Sequence, residues 1–374
     1  MSIRILHVGP GRGQRGGIAS ILAQLAMLRS TFEQAGVSTS FFETRGFRTV
    51  GGILAFAFID VPRFVFAAKK TDVVHFHVSE RGSLYRKFVL FLVAAVLRKR
   101  TVFHLHSGNF ERFVENADPL TRFLCRSFLQ RVDCVIAVST PLANWLQSQR
   151  GTDAVHVVGN MALGAEQRVF TRRSQACERP YIAFAGRLSE AKGLEDLFRA
   201  VAELTGKGRD IQVRVAGMGD VECWRRIAFK HGIADRVIFE GWLEGDAKLA
   251  FYRGASLFCM PSHFESFGIA TLEAMFCSLP VVGTRLGGFL DLVVEGVSGY
   301  LVDVRDSRAL ADAISKLLDD PGHARKMGVA GLARACALYR STSIVQRYVQ
   351  CYRNAHVFGA GELVSTTKHL EQSK

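Results

Sequence analysis

Short runs of apolar, often β-branched residues alternate along the chain with longer segments whose apolar positions recur every three or four residues. Runs of this kind are typical of buried strands, and the longer periodic segments are typical of amphipathic helices. Because parallel strands need a crossover connection, the alternation predicts parallel sheets. The predicted strands include residues 3–8, 72–78, 101–106, 133–139, 154–160, 181–188, 211–217, 235–242, 255–262 and 279–288.

A polar stretch over residues 171–180 interrupts the alternation. We therefore predict two Rossmann-like, doubly wound α/β domains, residues 1–170 and 181–340, facing each other across a cleft. A last helix within 341–358 either ends the second domain or packs back on the first. The polar tail 359–374 is expected to be disordered. In doubly wound sheets ligands bind beyond the carboxyl ends of the strands, so functional residues are expected there.

The net charge of the 374-residue chain is +14, and the positive excess is uneven. Residues 1–170 hold 21 Lys and Arg against 11 Asp and Glu, and the remainder holds 27 against 23. This balance favours anionic partners such as nucleotides, nucleic acid or a membrane surface. The eight cysteines form no CxxC pair, which indicates reduced thiols in a cytoplasmic protein and no zinc motif. The apolar run 88–97 is half of the ~20 residues a spanning helix needs, so an integral membrane protein is not expected.

Two cations follow the strand that begins the second domain. Arg187 and Lys192 lie in AGRLSEAKG, between that strand and a helix. A planar guanidinium and a movable ammonium suit a diphosphate. The alternative is a solvated basic loop.

The segment PSHFESFGIATLEAM (261–275) follows another strand, with a helix predicted from Phe267 onward. Free N–H groups at a helix start bind phosphate, and Gly268 permits close approach there. Glu273, two turns in, is placed to accept both hydroxyls of a ribose, and Glu265 to accept a sugar hydroxyl. Taken alone, the segment also fits a capping pair plus a surface glutamate.

Glycines end two further strands. Gly217 and Gly219 permit close approach by a base or ribose, or form a simple tight turn. Gly287-Gly288 again allows a backbone approach at a strand end.

Taken in order, AGRLSEAKG, AGMGD, FEGW, the run YRGASLFCMPSHFESFGIATLEAMFCSLPVVGTRLGG and EGVSGYLV closely resemble glycosyltransferase family 4. Members of this family are retaining enzymes with the GT-B fold, and the resemblance covers nearly all of residues 181–340. Two positions depart from the family pattern: Ser266 stands where Gly is usual, and Asp291 where Glu is usual.

The resemblance implies a role for each residue of the motif. Arg187 and Lys192 would bind the diphosphate, Glu265 would contact the transferred sugar and Glu273 would bind the ribose. The backbone of Phe267–Ile269 would hold the distal phosphate.

The opening segment VGPGRGQRGGIAS places Gly11, Gly13 and Gly16 in GxGxxG spacing between a strand and a helix. This spacing also occurs in dinucleotide-binding oxidoreductases. Gly16 and Gly17 equally resemble the first loop of family 4, where glycines approach the donor phosphate or the acceptor. The more specific motifs of the second half favour the second interpretation.

Histidines alternate along two predicted strands of the first domain. His106 matches a family histidine that lies beside the reacting sugar, and His104 is expected to be structural. His75 and His77 are expected to be buried and hydrogen-bonded, with the cleft as an alternative for His77. No third ligand of suitable spacing is evident, so no metal site is predicted.

Two apolar segments, 51–70 and 84–100, carry flanking cations, notably Arg86-Lys87 and Arg98-Lys99-Arg100. We expect peripheral binding to an anionic membrane at its cytoplasmic face, which would suit a lipid-linked acceptor. Nucleic-acid binding is not expected, because these helices lack interleaved aromatic and basic residues.

The expected function is transfer of a hexose from a UDP- or GDP-sugar, without a separate cofactor, to a glycan or polyprenyl-linked glycan in cell-surface polysaccharide biosynthesis. No DxD segment stands at a strand end, which predicts metal independence. The alternatives are a GT-B nucleotide-sugar epimerase, a nicotinamide-dependent oxidoreductase and a catalytically silent, membrane-associated scaffold of polysaccharide assembly.

Overall fold

The computed structural model describes residues 2–11, 16–45, 49–151, 154–167 and 180–357. Contacts divide the chain into a first unit, Met1–Asn160 with Ser341–Lys374, and a second unit, Met161–Arg340. The boundary after Asn160 precedes the expected one at residue 170. Of the expected linker only Pro180 lies within the described residues, and the tail 359–374 lies outside them.

The first unit is built on a six-stranded parallel sheet in the order β2-β1-β3-β4-β5-β6. The chain extends from β1 to β2 on one side and from β3 onward on the other, so the order reverses between β1 and β3. Every residue of β3 is buried, as expected for a strand covered on both faces. The strands are β1 (Ile3–Pro10), β2 (Val37–Thr44), β3 (Val73–Val78), β4 (Arg100–Leu105), β5 (Cys134–Ala137) and β6 (Val155–Val157).

In the described parts of Met1–Asn160, these strands are connected or flanked by α1 (Gly17–Met27), α2 (Arg29–Gln34), α3 (Val50–Ala55), α4 (Val61–Lys69), α5 (Gly82–Val96), α6 (Phe110–Glu115), α7 (Pro119–Arg131) and α8 (Thr140–Arg150). A π-helical turn, Phe56–Asp60, joins α3 to α4, so that Val50–Lys69 is one continuous helix of 20 residues.

The second unit repeats this architecture, with strand order β12-β11-β10-β7-β8-β9. Here the order reverses between β7 and β10. The strands are β7 (Tyr181–Ala185), β8 (Gln212–Ala216), β9 (Val237–Gly241), β10 (Leu257–Met260), β11 (Val281–Thr284) and β12 (Gly299–Val302). The helices are α9 (Leu163–Glu166), α10 (Leu194–Gly206), α11 (Val221–Lys230), α12 (Gly245–Gly254), α13 (Ile269–Phe276), α14 (Phe289–Leu292), α15 (Ser307–Asp319) and α16 (Pro321–Leu338). Short 3₁₀ turns occupy Glu190–Lys192 and Ala234–Arg236.

The last described helix, α17 (Ser341–Val357), packs against α2, β3, β4 and β5 of the first unit. Its residues Tyr348 and Tyr352 are fully buried, and the hydroxyl of Tyr352 lies 2.8 Å from Nδ1 of His75. Of the two placements that the sequence left open, this helix takes the one on the first unit.

Candidate active site

The loops after β7 and β10 meet at the point where the strand order of the second unit reverses. The amide of His263 donates to the carbonyl of Ala191 at 2.9 Å. Gly193 has a φ of +66°, and a Cβ there would lie 1.8 Å from the carbonyl oxygen of Pro261. Only glycine permits this approach, which holds the two loops together. In doubly wound sheets the reversal point is the usual ligand site.

The ammonium of Lys192 and a carboxylate oxygen of Glu265 form an ion pair of 2.7 Å across these loops. The two side chains are 23% and 11% exposed, so water screens the pair only in part. Arg187 lies two residues after the end of β7 and is exposed. The structure thus brings together two residues to which the sequence analysis gave separate roles.

Glu273 lies on α13 and accepts hydrogen bonds from Lys248 Nζ at 2.7 Å and from the hydroxyl of Tyr252 at 2.9 Å. Burial, reinforced by the carboxylate of Glu273, raises the pKa of Tyr252 well above its usual value, so the phenol remains a donor. Both partners come from α12 and were missed by the sequence analysis. Their i,i+4 spacing places them on one helix face, but no local feature points that face at α13.

The predicted phosphate loop begins its helix two residues later than expected. Gly268 adopts a φ of +97° as the N-cap, and α13 starts at Ile269 rather than at Phe267. The Phe267 side chain is buried and packs on the ring of Tyr339, with centroids 5.4 Å apart. Phe267 therefore offers its backbone, not its ring, to a ligand. The first-turn amides of α13 have no intrahelical acceptor, as at every helix start.

Gly287 and Gly288 pack closely against the backbone of this loop. A Cβ on Gly287 would lie 1.8 Å from the Glu265 carbonyl oxygen, and one on Gly288 would lie 2.2 Å from Phe267 Cα. The backbone that approaches these glycines is therefore the protein's own, and it fixes the segment that carries Glu265.

Gly217 and Gly219 have a similar structural reason. A Cβ on Gly217 would lie 1.7 Å from the Gly186 carbonyl oxygen, and one on Gly219 would lie 2.5 Å from Leu188 Cβ. The tight approach is made by the loop after β7, which accounts for both glycines without a ligand. Their binding to a nucleotide stays a prediction.

In the first unit, Gly16 and Gly17 stand at the start of α1 and are exposed. A Cβ on either would meet no described atom within 4 Å. Gly13 lies outside the described residues. In the dinucleotide fingerprint the third glycine allows the helix to pack closely on the strand. In this structure Gly9 allows that close packing, because a Cβ on Gly9 would lie 2.3 Å from the Leu22 side chain. Gly16 does not have this role.

Five histidines of β1, β3, β4 and the residue after β4 converge on one side of the sheet. His77 lies between two others: its Nε2 is 3.0 Å from His7 Nδ1, and its Nδ1 is 2.9 Å from His106 Nε2. His75 joins the Tyr352 hydroxyl to His104 through its two ring nitrogens. The expectation that His75 and His77 are buried and hydrogen-bonded is confirmed. Sequence spacing showed no third ligand beside His104 and His106, but the fold brings a nitrogen of His77 beside both. No sequence pattern indicated that His7 belongs to this cluster.

Tautomers in the chain His7–His77–His106 are coupled. A neutral imidazole carries one N–H, so each ring donates in the same direction along the chain. Nε2 of His7 is buried without a hydrogen-bond partner among the described residues. At this buried atom, an unpaired lone pair costs less free energy than an unpaired N–H. This favours the tautomers in which His7 donates to His77 and His77 donates to His106. His106 then carries its proton on Nδ1, and burial lowers its pKa to about 3, so the ring is neutral.

Lys87 does not contribute to a membrane-facing basic cluster, contrary to the sequence analysis. It is 1% exposed and donates to the Ser83 hydroxyl at 2.6 Å. Burial, aided by the charge of Arg86, lowers its pKa to about 7. Lys99 donates to the carbonyls of Lys69 and Thr71, and Arg100 pairs with Asp133 at 2.9 Å; Arg98 is exposed.

Solved structures share this architecture over nearly the whole chain. Anabaena HepE in complex with UDP-glucose superposes with a TM-score of 0.74 at 21% identity, covering 93% of this chain and 98% of that one. Two doubly wound units, each on a six-stranded parallel sheet, define the fold as GT-B.

Sequence comparisons then identify the family. The model for glycosyl transferases group 1 matches residues 168–334, and that for glycosyltransferase family 4 matches residues 32–161. A D-inositol 3-phosphate glycosyltransferase from Corynebacterium diphtheriae is 30% identical, over 87% of this chain and 79% of that protein. A GDP-mannose-dependent α-(1-6)-phosphatidylinositol monomannoside mannosyltransferase from Mycolicibacterium smegmatis is 35% identical, over 41% of this chain and 42% of that protein. The chain belongs to glycosyltransferase family 4.

Proposed function

We propose that this glycosyltransferase transfers a hexose from a UDP- or GDP-sugar with retention of anomeric configuration. One observation carries the proposal. The Lys192–Glu265 pair and the start of α13 both lie where the strand order of the second sheet reverses. Cations, free amides and a carboxylate are the groups that a diphosphate and a sugar require.

Leaving-group charge is the main chemical difficulty, because the bond to the nucleoside diphosphate breaks as negative charge builds on phosphate. Lys192, Arg187 and the first amides of α13 would stabilise that charge. A phosphate would compete with Glu265 for Lys192, leaving the carboxylate to accept a hydroxyl of the transferred sugar. Glu265 would orient the sugar rather than attack it.

Glu273 would bind the ribose of the donor. Its two oxygens already accept from Lys248 and Tyr252, which fix the carboxylate in place while leaving further acceptor sites. For His106 the family resemblance implies a position beside the reacting sugar. A neutral ring with its proton on Nδ1 would donate to a sugar hydroxyl.

A thermal-shift screen of UDP, GDP, ADP and their sugars, followed by nucleotide-release assays, tests the donor. We expect stabilisation by a UDP- or GDP-sugar, and the relatives support both bases: HepE was solved with UDP-glucose, and the mycobacterial mannosyltransferase is GDP-mannose-dependent. Stabilisation by NADH alone would contradict the proposal.

The reaction distinguishes the remaining alternatives. An epimerase would convert the sugar nucleotide without an acceptor, which NMR detects directly, and a silent scaffold would bind the donor without turnover. We further propose that catalysis needs no metal ion. Activity abolished by EDTA and restored by Mg²⁺ would contradict that statement.

The acceptor is proposed to be a glycan or a polyprenyl-linked glycan used for cell-surface polysaccharide, reached at the cytoplasmic face of the membrane. The helix Val50–Lys69 supports this, since it contains an 18-residue window with a mean hydropathy of 1.8, of which only 17% is buried. By length and composition it is able to cross a membrane. However, Phe56, Asp60 and Phe64 are buried against the first unit, while Phe58 and Phe66 are 75% and 69% exposed. One face of the helix is thus buried against the protein, and the other face carries exposed aromatic rings. This arrangement favours a helix that lies in the membrane interface.

A further inference from the structure

Two cysteines and a histidine from distant parts of the chain meet at one edge of the first unit. Cys134 begins β5, His156 lies on β6 and Cys351 lies on α17. Their ligand atoms all lie within 4.8 Å of one another. The two thiols are 4% and 3% exposed, and the imidazole is partly exposed. No spacing rule reveals this group, because almost 200 residues separate His156 from Cys351.

The sheet register explains why these side chains converge. His156 pairs with Ile136 in the parallel ladder of β5 and β6. Cys134 lies two residues before Ile136, so the alternation of side chains directs it to the same face as His156. The helix α17 packs against β5 and brings Cys351 to this group.

Within the group, the thiol of Cys134 is hydrogen-bonded to both Cys351 and His156. The contact with Cys351, followed by that with His156, lowers the pKa of Cys134, and the same contact raises the pKa of Cys351. The hydrogen bond with Cys134 raises the pKa of His156. The three groups therefore interact with one another through Cys134.

We propose that Cys134, His156 and Cys351 form a Zn²⁺ site, with water as the fourth ligand on the partly exposed side of His156. Two thiolates balance the charge of the ion, and sulfur and imidazole are the donors that Zn²⁺ prefers. Binding forms two Zn–S bonds and one Zn–N bond, with the imidazole neutral, and the protons of the two thiols are released to solvent.

The histidine cluster around His77 is a weaker candidate for such a site. Among the described residues, the groups of possible ligand atoms there consist of imidazoles alone and contain no anionic ligand to balance a buried divalent ion. The thiols of Cys134 and Cys351 supply that negative charge when they bind as thiolates. The ion is therefore placed at the sulfur-containing group, at the edge of the sheet, where it would link α17 to β5 and β6.

Cobalt provides the direct test. The full, untagged chain, freed of metal by a chelator under reducing conditions, is titrated with Co²⁺. We expect a thiolate-to-cobalt charge-transfer band in the near ultraviolet that saturates at one equivalent and is lost when Zn²⁺ is added. No such band would overturn the proposal.

Variants assign the band to its ligands. Cys351→Ser and His156→Gln should each weaken Co²⁺ binding at least about tenfold. Cys125→Ser, which changes a buried cysteine of the same unit on α7, should leave the titration unchanged. Equal titrations for Cys351→Ser and Cys125→Ser would contradict the assignment.

Alkylation of the unaltered chain keeps the test independent of how the variants fold. Zn²⁺ should protect Cys134 and Cys351 from iodoacetamide, as read by peptide mass spectrometry, and a chelator should remove that protection. A Cys134–Cys351 disulfide in the isolated chain, or reactivity that Zn²⁺ does not change, would exclude the site.

Discussion

In the proposed reaction, Lys192 exchanges its partner Glu265 for the diphosphate of the donor. It is paired with Glu265 at 2.7 Å in the structure, and the proposed diphosphate would take its charge. We predict that Lys192→Ala, and separately Glu273→Ala, lowers kcat/KM by more than tenfold, about 1.4 kcal/mol of transition-state binding. Steady-state transfer assays measure this.

A matched control comes from the same helix region. Lys207 is exposed and pairs with Glu203 one turn away. Lys207→Ala should keep normal transfer, because such surface pairs contribute little. Near-normal kcat/KM for both Lys192→Ala and Glu273→Ala would remove the basis for the proposed site.

The buried histidines predict a second residue-scale effect, on stability. Burial lowers the pKa of His7 and His106 to about 3 and that of His77 well below its usual value. These rings are neutral when folded, whereas unfolded histidine takes up a proton below about pH 6.5. Stability is therefore complete above pH 6.5 and is lost as the pH falls towards 3, by on the order of 1 kcal/mol per histidine per pH unit.

Hydrogen exchange of β3 and β4 peptides, corrected for the intrinsic pH dependence of exchange, measures this loss between pH 7 and pH 5. His7→Asn should reduce the pH dependence. His356→Gln, at an exposed position of α17, should preserve it. Equal opening free energies at both pH values in the unaltered chain would show that the cluster is not kept neutral by burial.

At the residue scale, side chains that directly follow strands were predictable from sequence, and their partners were not. Lys192 and Glu273 stand next to recognisable strand and helix signals. Lys248 and Tyr252 approach Glu273 only through the packing of α12. His7 reaches His77 across 70 residues, and no local pattern encodes that distance.

At the scale of elements, the turn after β8 depends on a glycine. Gly217 has a φ of +148°, and a Cβ would overlap the Gly186 carbonyl oxygen. Gly217→Ala should destabilise the second unit by at least about 2 kcal/mol, as seen in thermal melts without any nucleotide.

Gly206, at the end of α10, is the matched position, since a Cβ there meets no described atom within 4 Å. Gly206→Ala should change stability by at most about 1 kcal/mol. Normal melting of Gly217→Ala together with lost nucleotide binding would instead assign Gly217 to the ligand.

The helix Val50–Lys69 gives a second prediction at this scale. Phe58→Ser with Phe66→Ser should lower co-sedimentation with anionic phosphatidylglycerol vesicles at low salt by about tenfold, because both exposed rings would otherwise enter the interface. Phe229→Ser removes a ring that is 78% exposed on α11 of the second unit, and it should have no effect. Failure of the unaltered chain to bind such vesicles would contradict the membrane proposal.

Sequence patterns located most elements but not all of their limits. The helix after β10 was expected from Phe267, and the left-handed conformation of Gly268 delays it to Ile269. Lys87 was assigned to a basic surface because charge alone indicates exposure, but the first turns of α5 place it inside. An integral membrane protein was not expected from the run 88–97, but the π-turn at Phe56–Asp60 joins two helices into Val50–Lys69, which is long and apolar enough to cross a membrane.

At the scale of the whole molecule, the alternation of strands and helices was sufficient to predict two doubly wound α/β units, and the GT-B fold agrees. Sequence did not decide where α17 belongs, because its apolar face suits either unit. Packing decides it: Ile344, Tyr348 and Tyr352 are fully buried in the first unit, and no apolar period specifies which sheet they cover.

The position of α17 also sets an order of events during synthesis. The second unit is one continuous segment, Met161–Arg340, whereas the first consists of Met1–Asn160 and Ser341 onward. A ribosome therefore releases every described part of the second unit before the helix that fills the core of the first. Until then the sheet that holds His75 and His104 lacks the cover of Tyr348 and Tyr352. The half of the enzyme that is translated first is accordingly the half that matures last.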